Sequence, residues 1–160
     1  MTNNDILRRL RYALNVDDAA LVAVFARGGR TVTEAEVRGL MGREFEPGTI
    51  ECDDATLELF LDGLVLERRG PPPAHLPPPK PAPFSNNAIL KKLRVALSLR
   101  DVDVIEIVRL GGRDLTKGEL GALSRPPGHR NFRPCGNQLL RAFLKGIAER
   151  NQRGSQSARR

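Results

Sequence analysis

The chain has 160 residues, 40% hydrophobic but only 4% aromatic, and a formal net charge of +7 at pH 7. That length holds one ordinary domain or two small ones. No apolar run approaches a membrane span and no charged-then-apolar leader precedes Asn3, so membrane insertion and secretion are set aside. A cytoplasmic location with reduced thiols is expected.

The predicted elements come twice. Asn3 to Gly63 realigns without gaps onto Asn86 to Gly146 at a constant shift of 83 residues. A duplicated unit is one supersecondary module used in tandem. Each copy is close to the lower size limit for a core of its own, so the copies are expected to pack on each other.

In the first copy, Asn3 or Asn4 is the expected cap of a first helix, with Ile6, Leu7, Leu10, Ala13 and Leu14 on one face. Arg8, Arg9 and Arg11 lie off that face. The second copy repeats the pattern with Ile89, Leu90, Leu93, Ala96 and Leu97, leaving Lys91, Lys92 and Arg94 outside. Asn15 and Ser98 mark the helix ends. A second helix starts at Asp17 or Asp18, or at Asp101, and carries Leu21, Val22, Val24 and Phe25, or Val104, Ile105, Ile107 and Val108. Its β-branched content makes a strand the competing reading, but the capping Asp and the Gly-Gly stop fit a helix. Gly28-Gly29 and Gly111-Gly112 suit a C-cap and turn.

Thr33-x-x-Glu36 and Thr116-x-x-Glu119 have capping-box spacing, opening a short third helix with Val37 and Leu40, or Leu120 and Leu123. After a polar loop and a cysteine comes a fourth helix, with Leu57, Phe60, Leu61 and Leu64, or Leu140, Phe143, Leu144 and Ile147, inside. Gly63 and Gly146 fall within these helices, where glycine costs stability, and are expected at close helix contacts. Between the copies, residues 71–84 are proline-rich and read as a stiff spacer; residues 151–160 read as a disordered basic tail. The fold class is therefore all-α, with two pseudo-symmetric four-helix modules, 1–70 and 85–150, packed together.

The Asn-Asn-x-Ile-Leu-x-x-Leu-Arg-x-Ala-Leu start, the Thr-x-x-Glu box and the Cys…Phe-Leu-x-Gly ending occur in both copies. In these motifs the chain resembles the YehS-type family of small bacterial proteins, over nearly all of Thr2 to Arg150. The resemblance implies a helical, duplicated, cytoplasmic protein and carries over no activity, substrate or catalytic residue.

Catalytic patterns are weak. His75 and His129 do not repeat, and no phosphate loop, nucleophile elbow or His-Glu-x-x-His is present. Two Cys and two His lack paired metal-ligand spacing, so neither cofactor nor metal is expected. Asp53-Asp54 fits helix capping better than acid–base chemistry. Cys52 and Cys135 fit small buried residues copied with the module; a disulfide would require the repeats to bring them together.

Charge is more informative. Residues 1–70 hold 9 Lys+Arg and 13 Asp+Glu, net −4, whereas residues 85–160 hold 16 and 6, net +10. The expected partner is DNA or RNA, bound through phosphates by the basic first-helix faces of both copies and by the second copy, at Arg8, Arg9, Arg11, Lys91, Lys92, Arg94, Arg113, Arg130 and Arg133, with Phe132 stacking on a base. The plainer reading leaves these charges solvated and Phe132 in the core. Helices two and three also have helix-turn-helix spacing, but Glu34, Glu36 and Gly121 make poor groove readers. The alternative is a protein-interaction or self-associating adaptor, because the loop Arg43–Glu51 is acidic and its counterpart, Arg125–Arg133, is basic.

Overall fold

The structure is a computed structural model that describes residues 1–78, 80 and 82–158. The described residues form eight helices: α1 (Asn3–Leu14), α2 (Asp18–Arg27), α3 (Glu34–Leu40), α4 (Asp54–Arg69), α5 (Asn86–Ala96), α6 (Asp101–Leu110), α7 (Lys117–Leu123) and α8 (Asn137–Ala158). No strand occurs among them. The β-branched stretches Leu21–Phe25 and Val104–Val108 are helical because each buries one helical stripe: Leu21, Val24 and Phe25, or Val104, Ile107 and Val108.

The two repeats share one continuous core of Leu, Ile, Val, Ala and Phe. Inside each repeat the main contact joins the second and fourth helices, α2 with α4 and α6 with α8. Between repeats, α4 packs on α5 and α8 packs on α1. The 83-residue shift exchanges these two joints, so the repeats are related by a pseudo-twofold. The first helix of each repeat thus lies mainly against the fourth helix of the other.

Glycine sets the depth of the α2–α4 and α6–α8 crossings. A Cβ on Gly63 would stand 2.9 Å from Gly28 N, and one on Gly146 only 2.6 Å from the carbonyl carbon of Ile107. The partner glycines Gly28 and Gly111 are equally crowded by Leu59 and Ala142 backbone. The backbones touch where a side chain would hold them apart. Gly29 and Gly112 each have φ of 95°, which favours glycine and turns the chain out of the second helix.

The caps differ from expectation. Thr2, not Asn3 or Asn4, caps α1, in a full capping box with Asp5; Ser85 caps α5. Asn4 is buried instead. Its Nδ2 donates to the carbonyls of Leu40 and Ile50, each at 2.9 Å, and its Oδ1 accepts from Cys52 N at 3.0 Å. Asn87 repeats all three bonds, to Leu123, Arg133 and Cys135, at 3.0, 2.9 and 2.8 Å. A buried or half-buried amide is tolerable only when it is satisfied, and each of these fixes the end of the third helix, the following loop and the cysteine two residues before the fourth helix. Thr33 and Thr116 do cap their helices, but Glu119 takes the Thr116 hydroxyl rather than its N–H.

Residues 151–160, expected to be disordered, are helical through Ala158. Asn151 Nδ2 donates to Ala13 O and Gln152 Nε2 to the Tyr12 hydroxyl, both at 2.7 Å, so α8 finds partners in the first repeat past the expected boundary. Arg159 and Arg160 of that tail, and Pro79 and Pro81 of the spacer, lie outside the described residues. The described part of 71–84 holds no helix.

Candidate nucleic-acid interface

The sequence-predicted cations do not form one surface. Arg8 donates to Gly42 O at 2.6 Å and pairs with Asp5, which fixes the end of α3 against α1. Arg11 pairs with Asp18 at 2.9 Å, and its counterpart Arg94 with Asp101 at 2.6 Å. Both hold the turn between first and second helices. Arg113 donates to Gln138 Oε1 at 2.8 Å, and Arg133 pairs with Glu119 at 3.2 Å. Lys92 pairs with Asp62 and, at 3.9 Å, approaches Glu58, joining α5 to α4 across the repeats. Arg9, Lys91 and Arg130 are exposed and make no ion pair among the described residues.

One groove does bring several candidates together. Its volume is about 640 Å³, and it runs along α5 between the end of α4, the described spacer residues Ala82 and Pro83, and the α7–α8 loop. Lys91, Arg94 and Phe132 line it, as do Arg69 and Arg125. Leu90, Val95, Leu99 and Leu123 supply apolar wall. No carboxylate lines it among the described residues. Phe132 is half-buried, so it is neither a core residue nor a free ring. Its loop is held in shape: Arg133 N donates to Ala122 O at 3.1 Å, Arg125 Nη1 to Asn131 O at 3.1 Å, and Asn131 N to His129 Nδ1 at 3.0 Å. The site was only partly visible in sequence. Arg125 and Arg69 gave no repeat-based signal, because their counterparts, Gly42 and Gln152, are neutral.

The pseudo-equivalent groove of the first repeat is lined by Arg8, Arg11 and Tyr12, and the last turns of α8 border it through Asn151, Gln152 and Ser155. At the α5 groove the flanking helix is α4, which ends at Arg69, so only its last residue reaches the groove where α8 continues for further turns.

Two further cations, Arg141 and Lys145, escaped sequence reading and accompany Arg9. Lys92, Asp62 and Glu58 of the α4–α5 joint correspond by the 83-residue shift to Arg9, Lys145 and Arg141 of the α8–α1 joint. All three are exposed, and none makes an ion pair among the described residues. One joint is charge-complementary; its twin is wholly basic.

The helix-turn-helix reading finds no support in the third helices. α3 and α7 are seven residues each, and their apolar positions are buried. The loops expected to attract one another do not meet: Glu44, Glu46 and Glu51 are exposed and make no ion pair with Arg125, Arg130 or Arg133. Phe45, between two of those glutamates, is 93% exposed.

Cys52 and Cys135 are free and buried. Burial pushes the Cys52 thiol up to about 12, with Asp53 adding to the shift, and Cys135 up to about 11. Both stay protonated and unreactive near neutral pH. Asp53 caps α4 by accepting from Thr56 N at 2.8 Å, and the Thr56 bonds hold its carboxyl below the usual range. Among the described residues, no group of His, Cys, Asp and Glu is able to hold a metal, and no helix is long and apolar enough to cross a membrane.

Comparison with known proteins agrees with the duplication. The model of a family described as a protein of unknown function (DUF1456) matches residues 3–70 and again 86–154. The chain is 39% identical over 153 residues to the uncharacterized protein YehS of Escherichia coli (strain K12), covering 94% of this chain and 96% of that one. No solved structure matches it. With both halves matched by one family model, the chain belongs to the DUF1456 family, as a tandem pair of its domains.

Proposed function

We propose that the protein is a non-enzymatic, cytoplasmic, nucleic-acid-associated protein that takes a single strand into the α5 groove. The observation that carries this reading is the convergence of Lys91, Arg125 and Phe132 on one acid-free groove. Cations at a groove edge neutralise phosphates, and a half-buried ring offers a stacking face to any base. A volume of about 640 Å³ suits a few unpaired nucleotides, and α3 and α7 are helices of seven residues whose apolar positions are buried. Single-stranded or unpaired segments are the matching class, DNA or RNA alike.

The test is a salt series of binding to fluorescent single- and double-stranded oligonucleotides. Single strands bind more tightly than duplexes, and affinity falls steeply with salt. Lys91→Glu and Arg125→Glu each weaken binding and lower the salt slope by about one, while Phe132→Ala weakens binding without changing the slope. Absence of binding at low salt removes the proposal.

A further inference from the structure

The loop after α3 has two features that folding does not require. Phe45 is 93% exposed, and it holds φ at 67°, a left-handed conformation uncommon for a bulky residue. The loop is nevertheless ordered. Glu46 N donates to Arg43 O at 3.1 Å, Thr49 Oγ1 to the same carbonyl at 2.9 Å, and Arg43 N to Glu46 Oε2 at 3.2 Å. A tied turn thus presents an aromatic ring to solvent with Glu44 on one side and Glu46 on the other. The corresponding position of the second repeat is Gly128, so each chain has one such loop.

The α5 groove has the complementary chemistry: apolar walls from Leu90, Val95 and Phe132, with Lys91 and Arg125 as cations and no lining carboxylate among the described residues. A ring flanked by carboxylates also offers the groove what a base flanked by phosphates would. We propose that the Glu44-Phe45-Glu46 loop of one molecule docks in the α5 groove of a second copy of this chain. Loop and groove belong to different repeats, and the exposure of Phe45 shows that the loop does not fill the groove of its own chain. Loop and groove are different surfaces, so the contact we propose is head to tail, one loop and one groove per pair of molecules. One loop in one groove is a small interface, so the association is weak and salt-sensitive. The inference shares its groove with the proposed function but needs no nucleic acid.

Sedimentation velocity of the full chain across a concentration series at low salt tests it. The average mass rises with concentration, and the rise vanishes at high salt. Phe45→Ala and the double variant Lys91→Glu, Arg125→Glu each weaken self-association at least tenfold. Phe45→Ala keeps an intact groove and the double variant keeps an intact loop, so an equimolar mixture forms a one-to-one dimer and nothing larger. All changed residues are exposed or at the groove edge, and circular dichroism checks that the helices remain. A wild-type chain that stays monomeric throughout, assembly that persists in Phe45→Ala, or a mixture that fails to pair overturns the inference. Oligonucleotide binding by Phe45→Ala separates the two readings: if it persists while wild-type assembly is absent, only this inference fails.

Discussion

Gly146→Ala tests the depth of the α6–α8 crossing. The added methyl would stand 2.6 Å from the carbonyl carbon of Ile107 and 2.8 Å from its Cγ2, with the carbonyl oxygen nearer still. Carbon atoms pack at about 3.5–4.0 Å, so the helices must part by roughly 1 Å along their heaviest contact. Alanine gains about 1 kcal/mol over glycine in a helix. Overpacking costs about 1–3 kcal/mol, and more when the obstacle is backbone that cannot rotate aside. The expected net loss is about 2 kcal/mol, or about 4–8 °C in melting temperature for a chain of this size. Gly121→Ala is the matched control, because a Cβ there meets nothing within 4 Å and α7 is helical at that position. It should stabilise by about 0.5–1 kcal/mol. Thermal and urea unfolding followed by circular dichroism read both. Equal, positive shifts for the two variants would refute the close approach.

Three other perturbations probe separate parts of the structure. Asn87→Ala removes three hydrogen bonds and orphans Cys135 N, so urea unfolding should show a loss of about 2–4 kcal/mol; a loss under 1 kcal/mol would mean the amide is not a staple. Lys145→Asp recreates at the α8–α1 joint the pairing that Lys92 makes with Asp62, and should stabilise by about 0.3–1 kcal/mol in low salt but not in high salt, by differential scanning calorimetry. Burial raises Cys52 from its ordinary 9.0 to about 12, so the unfolded chain loses this proton first. The stability contributed is full below about pH 9 and falls as pH rises towards 12; Cys52→Ala should flatten that alkaline decline in denaturant titrations.

The duplication and the apolar faces were legible because helical periodicity reports burial directly. The stripes read from sequence, from Ile6, Leu7 and Leu10 to Leu140, Phe143 and Leu144, lie in the core, except that Leu14, Val22, Leu97 and Ile105 are only partly buried against it. Gly63 and Gly146 were also readable, since an interior helical glycine needs a packing reason. The role of Asn4 and Asn87 was not. A polar residue at the start of an apolar run looks like a cap, and only the tertiary return of the loop brings Cys52 N and Ile50 O to it. The basic faces of α1 and α5 were visible as charge but not as function. Whether a cation is free depends on residues far away in sequence, as Lys92 is tied to Asp62 and Arg113 to Gln138. The groove was hidden for the same reason: Lys91 and Phe132 are 41 positions apart, and α4 of the other repeat completes one wall.

A single-stranded nucleic acid in the α5 groove, as we propose, would alter the surroundings of the groove residues. The most direct measurement is a nuclear magnetic resonance titration of the isotope-labelled full chain with a short single-stranded oligonucleotide at low salt. Amide shifts should cluster at Lys91, Val95, Arg125 and Phe132 and saturate together, with the Phe132 ring protons moving upfield as a base stacks on them. Shifts confined to the basic α8–α1 joint, or no shifts at any oligonucleotide concentration, would contradict the proposal.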